Sequence, residues 1–202
     1  MNIDVINLGP MDNCTYLVTQ GQDALLIDPA WDMNFLEHTL AEKKLNLLAV
    51  FFTHGHFDHV KFAQDLLEKH HLKAYIEEND VPLCGIAPQW LSVYRGAQKL
   101  HVGPFEVEII PTPGHTAGGV CIKIGNAVFT GDTLFPGACG RVDLPSSNPR
   151  HMRQSLLTLS QLPEDTQIFA GHSYGGKCSS TIGCERLKNP FMRNAIRDKD
   201  SL

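Results

Sequence analysis

Thr53-His-Gly-His-Phe-Asp-His-Val60 places four side chains of metal-binding type, His54, His56, Asp58 and His59, within six residues. The run before it, 47–53, is apolar almost to its last residue and reads as a buried strand. A strand end followed by a turn aims alternate side chains at one locus, so no helix is needed to gather the ligands. Imidazole and carboxylate together suit zinc, iron or manganese, and the lack of a thiolate set disfavours soft-metal sites. One His-x-His alone would read as a surface loop. His-x-His-x-Asp-His after an apolar strand reads as a metal centre.

Three more positions repeat the arrangement further along the chain. Pro113-Gly-His-Thr-Ala-Gly-Gly119 follows an apolar strand over 107–110 and carries His115. Phe129-Thr-Gly-Asp-Thr-Leu-Phe135 carries Asp132 just past another strand, and Phe169-Ala-Gly-His-Ser-Tyr174 carries His172. In each, glycine precedes the candidate ligand, where a missing side chain lets backbone approach closely. Each would read as a turn residue by itself; with the first segment they form a set.

Around these motifs, alternating apolar residues predict strands over 3–8, 14–19 and 24–28, broken by Gly9-Pro10 and Gly21. From Asp32, a candidate N-cap, the period changes: Phe35, Leu36, Leu40 and Leu45 predict an amphipathic helix. A second helix is expected over 59–71, with Val60, Ala63, Leu66 and Leu67 on its apolar face, then a strand over 73–76. Residues 79–98 contain Pro82, Pro88, Trp90 and Tyr94 without a clear period and read as helix and loop. Strands follow over 101–132, a Gly- and Pro-rich loop over 135–149, a helix over 150–161 and a strand over 167–170. The C-terminal stretch is polar and reads as irregular to helical. With no repeat and no linker, residues 1–202 read as one α+β domain of two packed sheets with helices outside.

The formal net charge is −5 with scattered Lys and Arg, which gives no electrostatic footprint for nucleic acid or an anionic membrane. No apolar run reaches membrane-spanning length, and the N-terminus lacks the basic and long apolar segments of a secretory signal. A cytoplasmic protein is expected. The six cysteines contain no Cys-x-x-Cys pair and are expected to be reduced, small buried residues.

Taken in order and spacing, these motifs resemble the metallo-β-lactamase superfamily across essentially the whole chain. The resemblance implies a four-layer αββα sandwich and two divalent metal ions, zinc foremost, with iron or manganese also accommodated. It implies that His54, His56 and His115 hold the first ion, that Asp58, His59 and His172 hold the second, and that Asp132 bridges them. His38, His70, His71, His101 and His151 have no motif context and read as surface or helix residues.

Within the superfamily, Thr130-Gly-Asp-Thr-Leu-Phe135, Gly137-Ala-Cys-Gly-Arg141 and Gly171-His-Ser-Tyr174 are most similar to glyoxalase II, the hydroxyacylglutathione hydrolases. Val142-Asp-Leu-Pro-Ser-Ser-Asn148 and Glu185-Arg-Leu-Lys-Asn-Pro-Phe191 resemble its short bacterial branch. Arg141 and Tyr174 match positions that contact the thiol part of the substrate. The chain departs from the family in three ways. Ser173-Tyr174-Gly175 stands for Glu-Tyr-Thr, Asp143 stands where an aromatic is usual, and the 30 residues given past His172 are not expected to form the family's C-terminal helical domain.

The implied reaction is hydrolysis of a small-molecule thioester, such as an S-2-hydroxyacylglutathione, by hydroxide generated between the ions. Asp58 has a further expected role in orienting that hydroxide. Thiolate leaves readily, so the reaction asks little of a general acid. A persulfide dioxygenase with one iron, a lactonase and a β-lactam hydrolase are rivals on the same scaffold. A nucleic-acid-processing member lacks its basic stripe, and a metal-binding module without catalysis would be expected to lose a ligand.

Overall fold

The computed structural model describes residues 1–174 and 176–199, so Gly175 of the Ser173-Tyr174-Gly175 stretch lies outside the described residues. An antiparallel meander of β1 (Asn2–Leu8), β2 (Asn13–Gln20) and β3 (Asp23–Ile27) opens the fold, followed by α1 (Met33–Glu42) and β4 (Asn46–Phe51). The helices α2 (Phe57–Val60) and α3 (Ala63–His70) lead to β5 (Ala74–Glu77), and α4 (Val81–Cys84) precedes β6 (Leu91–Tyr94). These strands pair in the order β1-β2-β3-β4-β5-β6, parallel from β3 onward.

The second half contains β7 (Gln98–Val102), β8 (Phe105–Pro111), β9 (Val120–Ile124) and β10 (Ala127–Gly131), then a hairpin of β11 (Leu134–Phe135) and β12 (Ala138–Cys139). It continues through α5 (Pro149–Leu159), β13 (Gln167–Ala170), β14 (Ser179–Thr181), α6 (Ile182–Lys188) and α7 (Pro190–Arg197). The second sheet runs β14-β13-β10-β9-β8-β7.

Strand alternation sorts side chains into three apolar layers. On β2 and β3, Tyr16, Val18, Leu25 and Ile27 face the second sheet, where they meet Phe105, Ile109, Ile122 and Phe129. Their neighbours Leu17, Ala24 and Leu26 face the other way, onto Leu36, Leu40, Leu66 and Leu67 of α1 and α3. Behind the second sheet, Cys121, Val128 and Ile168 pack on Met152, Leu156 and Leu159 of α5 and on Met192 of α7. Full burial of such side chains stabilises by about 1.5–3 kcal/mol each. The result is the expected αββα sandwich.

Two local expectations differ from the structure. The helix expected over 59–71 is broken: Lys61 is extended and Phe62 has φ +65°, separating α2 from α3. The cause is tertiary, since the Phe62 ring packs edge-on against Trp31 at 6.2 Å and the Lys61 ammonium lies 5.0 Å over the Trp31 ring. Within 79–98, Leu91–Tyr94 is a strand paired in parallel with β5. Three of the cysteines are buried as expected, while Cys139, Cys178 and Cys184 are half-buried, and all six are free thiols. No helix among the described residues is long and apolar enough to cross a membrane.

Strand direction positions the site. β8 and β10 are each antiparallel to β9, and β13 is parallel to β10, so all three end at one edge of the second sheet. His115, Asp132 and His172 follow those three ends. Across the sandwich, β3 and β4 run parallel and end beside them, where the Val120 amide donates to Thr53 O at 2.9 Å and the Cys14 amide to Gly171 O at 2.8 Å.

Candidate metal centre

All seven candidate ligands converge at this edge. His54, Asp58, His59, His115, Asp132 and His172 are buried and His56 is half-buried. Ligand atoms of His54, His56 and His115 lie within 4.8 Å of one another, as do those of Asp58, His59 and His172. Asp132 stands between the groups. Its Oδ2 is 3.4 Å from His115 Nε2, and its Oδ1 is 3.5 Å from both His59 Nε2 and His172 Nε2. One carboxylate oxygen faces each cluster. α2 carries Asp58 and His59 on a helical turn, which departs from the expected strand-and-turn delivery for those two residues.

Hydrogen bonds orient the imidazoles. The Nδ1 of His59 is 2.9 Å from Asp28 Oδ2, that of His115 is 2.9 Å from Arg141 O, and that of His172 is 2.8 Å from Met11 O. Carboxylates and carbonyls only accept, so each Nδ1 carries a proton and each Nε2 is the ring atom turned toward the clusters. His54 Nδ1 lies 3.1 Å from Thr53 Oγ1, a hydroxyl that itself donates to Asp28 Oδ2 at 2.6 Å. His56 differs: its Nδ1 faces His115 Nε2 at 2.9 Å.

Charge follows the same pattern. Burial, then the neighbouring histidines, hold His54 well below the usual imidazole range, and His56 is lowered for the same reasons. Burial opposes protonation of His172, but the Asp132 and Asp58 carboxylates beside its Nε2 outweigh it and raise the ring to about 10. Burial would raise the Asp58 and Asp132 carboxyls, yet His172 and His59 hold both below the carboxylate range.

These residues fit metal ions. His54 Nε2 and Asp132 Oδ1 are buried atoms without a hydrogen-bond partner among the described residues, a costly arrangement unless something else pairs with them. Donors about 2.1 Å from a tetrahedral ion stand roughly 3.4 Å apart. The pairs His59–His172, His172–Asp58 and His59–Asp58, at 3.2, 3.3 and 3.7 Å, match that spacing.

Several residues at the centre carry no motif signal. Asp28 accepts from the Thr53 amide at 2.7 Å and the Thr53 hydroxyl as well as from His59. Asn13 Nδ2 donates to Asp58 Oδ2 at 3.1 Å and to Asp58 O at 2.9 Å, and Trp31 Nε1 donates to Asn13 Oδ1 at 3.0 Å. Asp28 had a legible signal, since it stands directly after an apolar strand just as Asp132 does. Asn13 and Trp31 had none.

Above the centre opens a cavity of about 820 Å³, bounded by Met11, Phe57, Phe135, Leu144, Arg141 and Tyr174 among others. The Tyr174 ring stacks on His172 at 4.9 Å and 11° between planes. Arg141 reaches this cavity, but its guanidinium forms a two-point pair with Asp143, at 2.8 and 3.0 Å. Of the five histidines set aside, His38 and His101 lie at the surface near Glu42 and Glu106, and His70 pairs with Glu37.

A fold of two sheets between helices, with its His/Asp centre at the strand ends, defines a class. Residues 9–172 match the metallo-β-lactamase superfamily, and the chain belongs to it. Among its relatives is the probable polyketide biosynthesis zinc-dependent hydrolase BaeB of Bacillus velezensis, 31% identical over 77% of this chain and 70% of that protein. A hydroxyacylglutathione hydrolase of Tolumonas auensis is 36% identical over 81% of this chain and 62% of its own length. Of solved structures, ETHE1 from Myxococcus xanthus superposes with a TM-score of 0.85 at 28% identity, covering 99% of this chain and 90% of that one. TTHA1623 in a di-iron-bound form gives 0.80 at 34% identity, covering 93% and 99%.

Proposed function

We propose that the protein is a metal-dependent hydrolase of acyl thioesters, with S-2-hydroxyacylglutathiones such as S-D-lactoylglutathione as the first substrates to test. The observation that carries this reading is the division of the Asp132 carboxylate, one oxygen toward each histidine cluster, beneath an open cavity. His54, His56 and His115, and Asp58, His59 and His172, would hold divalent ions, which would supply hydroxide at neutral pH and polarise an acyl carbonyl. Zinc is in the name of the BaeB relative and iron in that of one solved neighbour, so either metal fits the reading.

The chain's own groups divide the remaining work. Asp58, held by Asn13 and kept ionised, would accept a hydrogen bond from the attacking hydroxide and so orient it. Met11, Phe57, Phe135 and Leu144 give the cavity an apolar wall that excludes water from the acyl group. Tyr174 and Arg141 lie where the thiol arm would leave the centre. A thiolate leaving group needs little protonation, which suits a site built from acceptors.

The test is loss of thioester absorbance on incubating S-D-lactoylglutathione with metal-loaded protein, alongside Asp58→Ala and a chelated sample. Turnover that both controls abolish supports the reading; no turnover by loaded protein removes the glutathione thioester from it. A persulfide dioxygenase using one iron is the second reading, and oxygen uptake with glutathione persulfide separates the two. The completeness of the Asp58–His59–His172 group favours the hydrolase.

A further inference from the structure

Asp80 belongs to none of the ligand motifs. It ends a short 3-10 turn after β5, and its side chain is fully buried. A carboxylate removed from water is costly unless hydrogen bonds replace its hydration. Among the described residues no salt bridge to Asp80 forms; three hydrogen bonds do the work instead. The Gly55 amide donates to Oδ2 at 2.8 Å, the Thr116 hydroxyl donates to the same oxygen at 2.7 Å, and the Gly118 amide donates to Oδ1 at 2.7 Å.

The origin of these donors matters. Gly55 lies between His54 and His56, while Thr116 and Gly118 follow His115. Asp80 therefore joins the two loops that carry the first histidine cluster. Packing there is close: a Cβ on Gly55 would stand 2.4 Å from Asp80 O, and one on Gly118 would stand 2.7 Å from Asp80 Oδ1. The other four histidines each have an Nδ1 tether outside the clusters, but the only ring hydrogen bond of His56 among the described residues faces His115. Its backbone neighbour, gripped by Asp80, is what holds it. The second cluster draws on other anchors, Asp28, Met11 and Asn13.

We propose that Asp80 is the positioning residue of the first metal site, setting the spacing of His54, His56 and His115 by clamping their two loops, and that its loss weakens this site selectively. The proposal rests on the reading of the two clusters as metal sites.

The experiment is graded chelator competition on the full-length, zinc-loaded protein, with metal content measured after gel filtration and folding checked by circular dichroism and Tm. Cobalt-substituted samples report site identity in the visible spectrum, with His115→Ala marking loss at the first cluster and His172→Ala loss at the second. Asp80→Asn keeps the shape but turns an NH2 group toward N–H or O–H donors. It is expected to weaken first-site binding about 10–100-fold, as loss of outer partners of metal ligands does elsewhere, and to leave a cobalt spectrum like that of His115→Ala. Thr116→Ala, which removes one donor and keeps the carboxylate, shifts the same site by a smaller factor and carries the test if Asp80→Asn does not fold.

Retention of both ions at wild-type affinity overturns the proposal. So does loss of both together with a lowered Tm, which is the mark of a merely structural residue. A wild-type protein that binds a single ion overturns the two-site reading itself, and the unmutated sample alone reports that result.

Discussion

His59 and Asp28, 31 residues apart in sequence, meet inside the protein with Nδ1 2.9 Å from Oδ2 and both side chains almost wholly buried. Burial opposes a charged His59, but Asp132 and Asp28 outweigh it and raise its pKa. The Nδ1 proton is committed to Asp28, so Nε2 is left to the second cluster. Asp28→Asn removes the charge and offers an amide that must choose between His59 and Thr53. Affinity for the second ion is expected to fall about 10–100-fold in chelator competition. Unchanged affinity would show that the ring is oriented by packing alone.

Asp143 is expected to restrain Arg141. The pair is fully exposed at the cavity mouth, where an anionic substrate group must compete with a neighbour two residues away. Asp143→Asn frees the guanidinium, and KM for a thioester whose thiol arm carries a carboxylate should fall several-fold with kcat unchanged. The gain should shrink as salt is added, because exposed charges are screened. An equal change for an uncharged thioester would contradict this account.

Cys178 is expected to be the fastest-reacting thiol. The neighbouring Cys14 thiol lowers its pKa, against the opposing effect of burial, and Cys14 is raised in turn. Burial pushes Cys139 up to about 11. Thiolate is the nucleophile, so iodoacetamide at pH 7 should label Cys178 first, with a rate that declines as the pH is lowered. Peptide mapping by mass spectrometry reads the order, and labelling led by Cys139 would refute it.

Gly131 ends β10 one residue before Asp132 with φ +47°, and a Cβ there would stand 2.3 Å from Thr53 Oγ1. Left-handed strain adds about 1–2 kcal/mol and overpacking about 1–3 kcal/mol. Gly131→Ala should therefore destabilise the fold by about 3 kcal/mol in urea unfolding and displace Thr53, which holds Asp28. A change below about 0.5 kcal/mol, the range of an ordinary surface substitution, would mean that the strand end relaxes freely.

Much of the centre was legible because each ligand-bearing segment follows an apolar strand. Burial period is a local property, and a polar residue at the end of a buried run is visible without knowing what lies opposite. Asp28 obeys the same rule, but Ile27 and Pro29 flank it, so it lacks the glycine that precedes His115, Asp132 and His172. Asn13, Trp31 and Asp80 leave no such trace: their roles consist of hydrogen bonds to residues 45, 18 and 25 positions away. The unbroken helix expected over 59–71 failed for the same reason. Its apolar face was read correctly, but the contact of Lys61 and Phe62 with Trp31 ends one helix and starts another.

By itself, the sequence determined the alternation that splits β2 and β3 between two apolar layers, and the placement of His and Asp at strand ends. Both follow from residue spacing against the fixed periods of strand and helix. Only the tertiary structure decided which Asp132 oxygen faces which cluster, which ring nitrogen keeps its proton, and that Arg141 is paired with Asp143. Those outcomes depend on strand direction, on the packing of two sheets, and on hydrogen-bond partners brought together from distant segments. No local pattern encodes them, because folding creates the contacts that select among them.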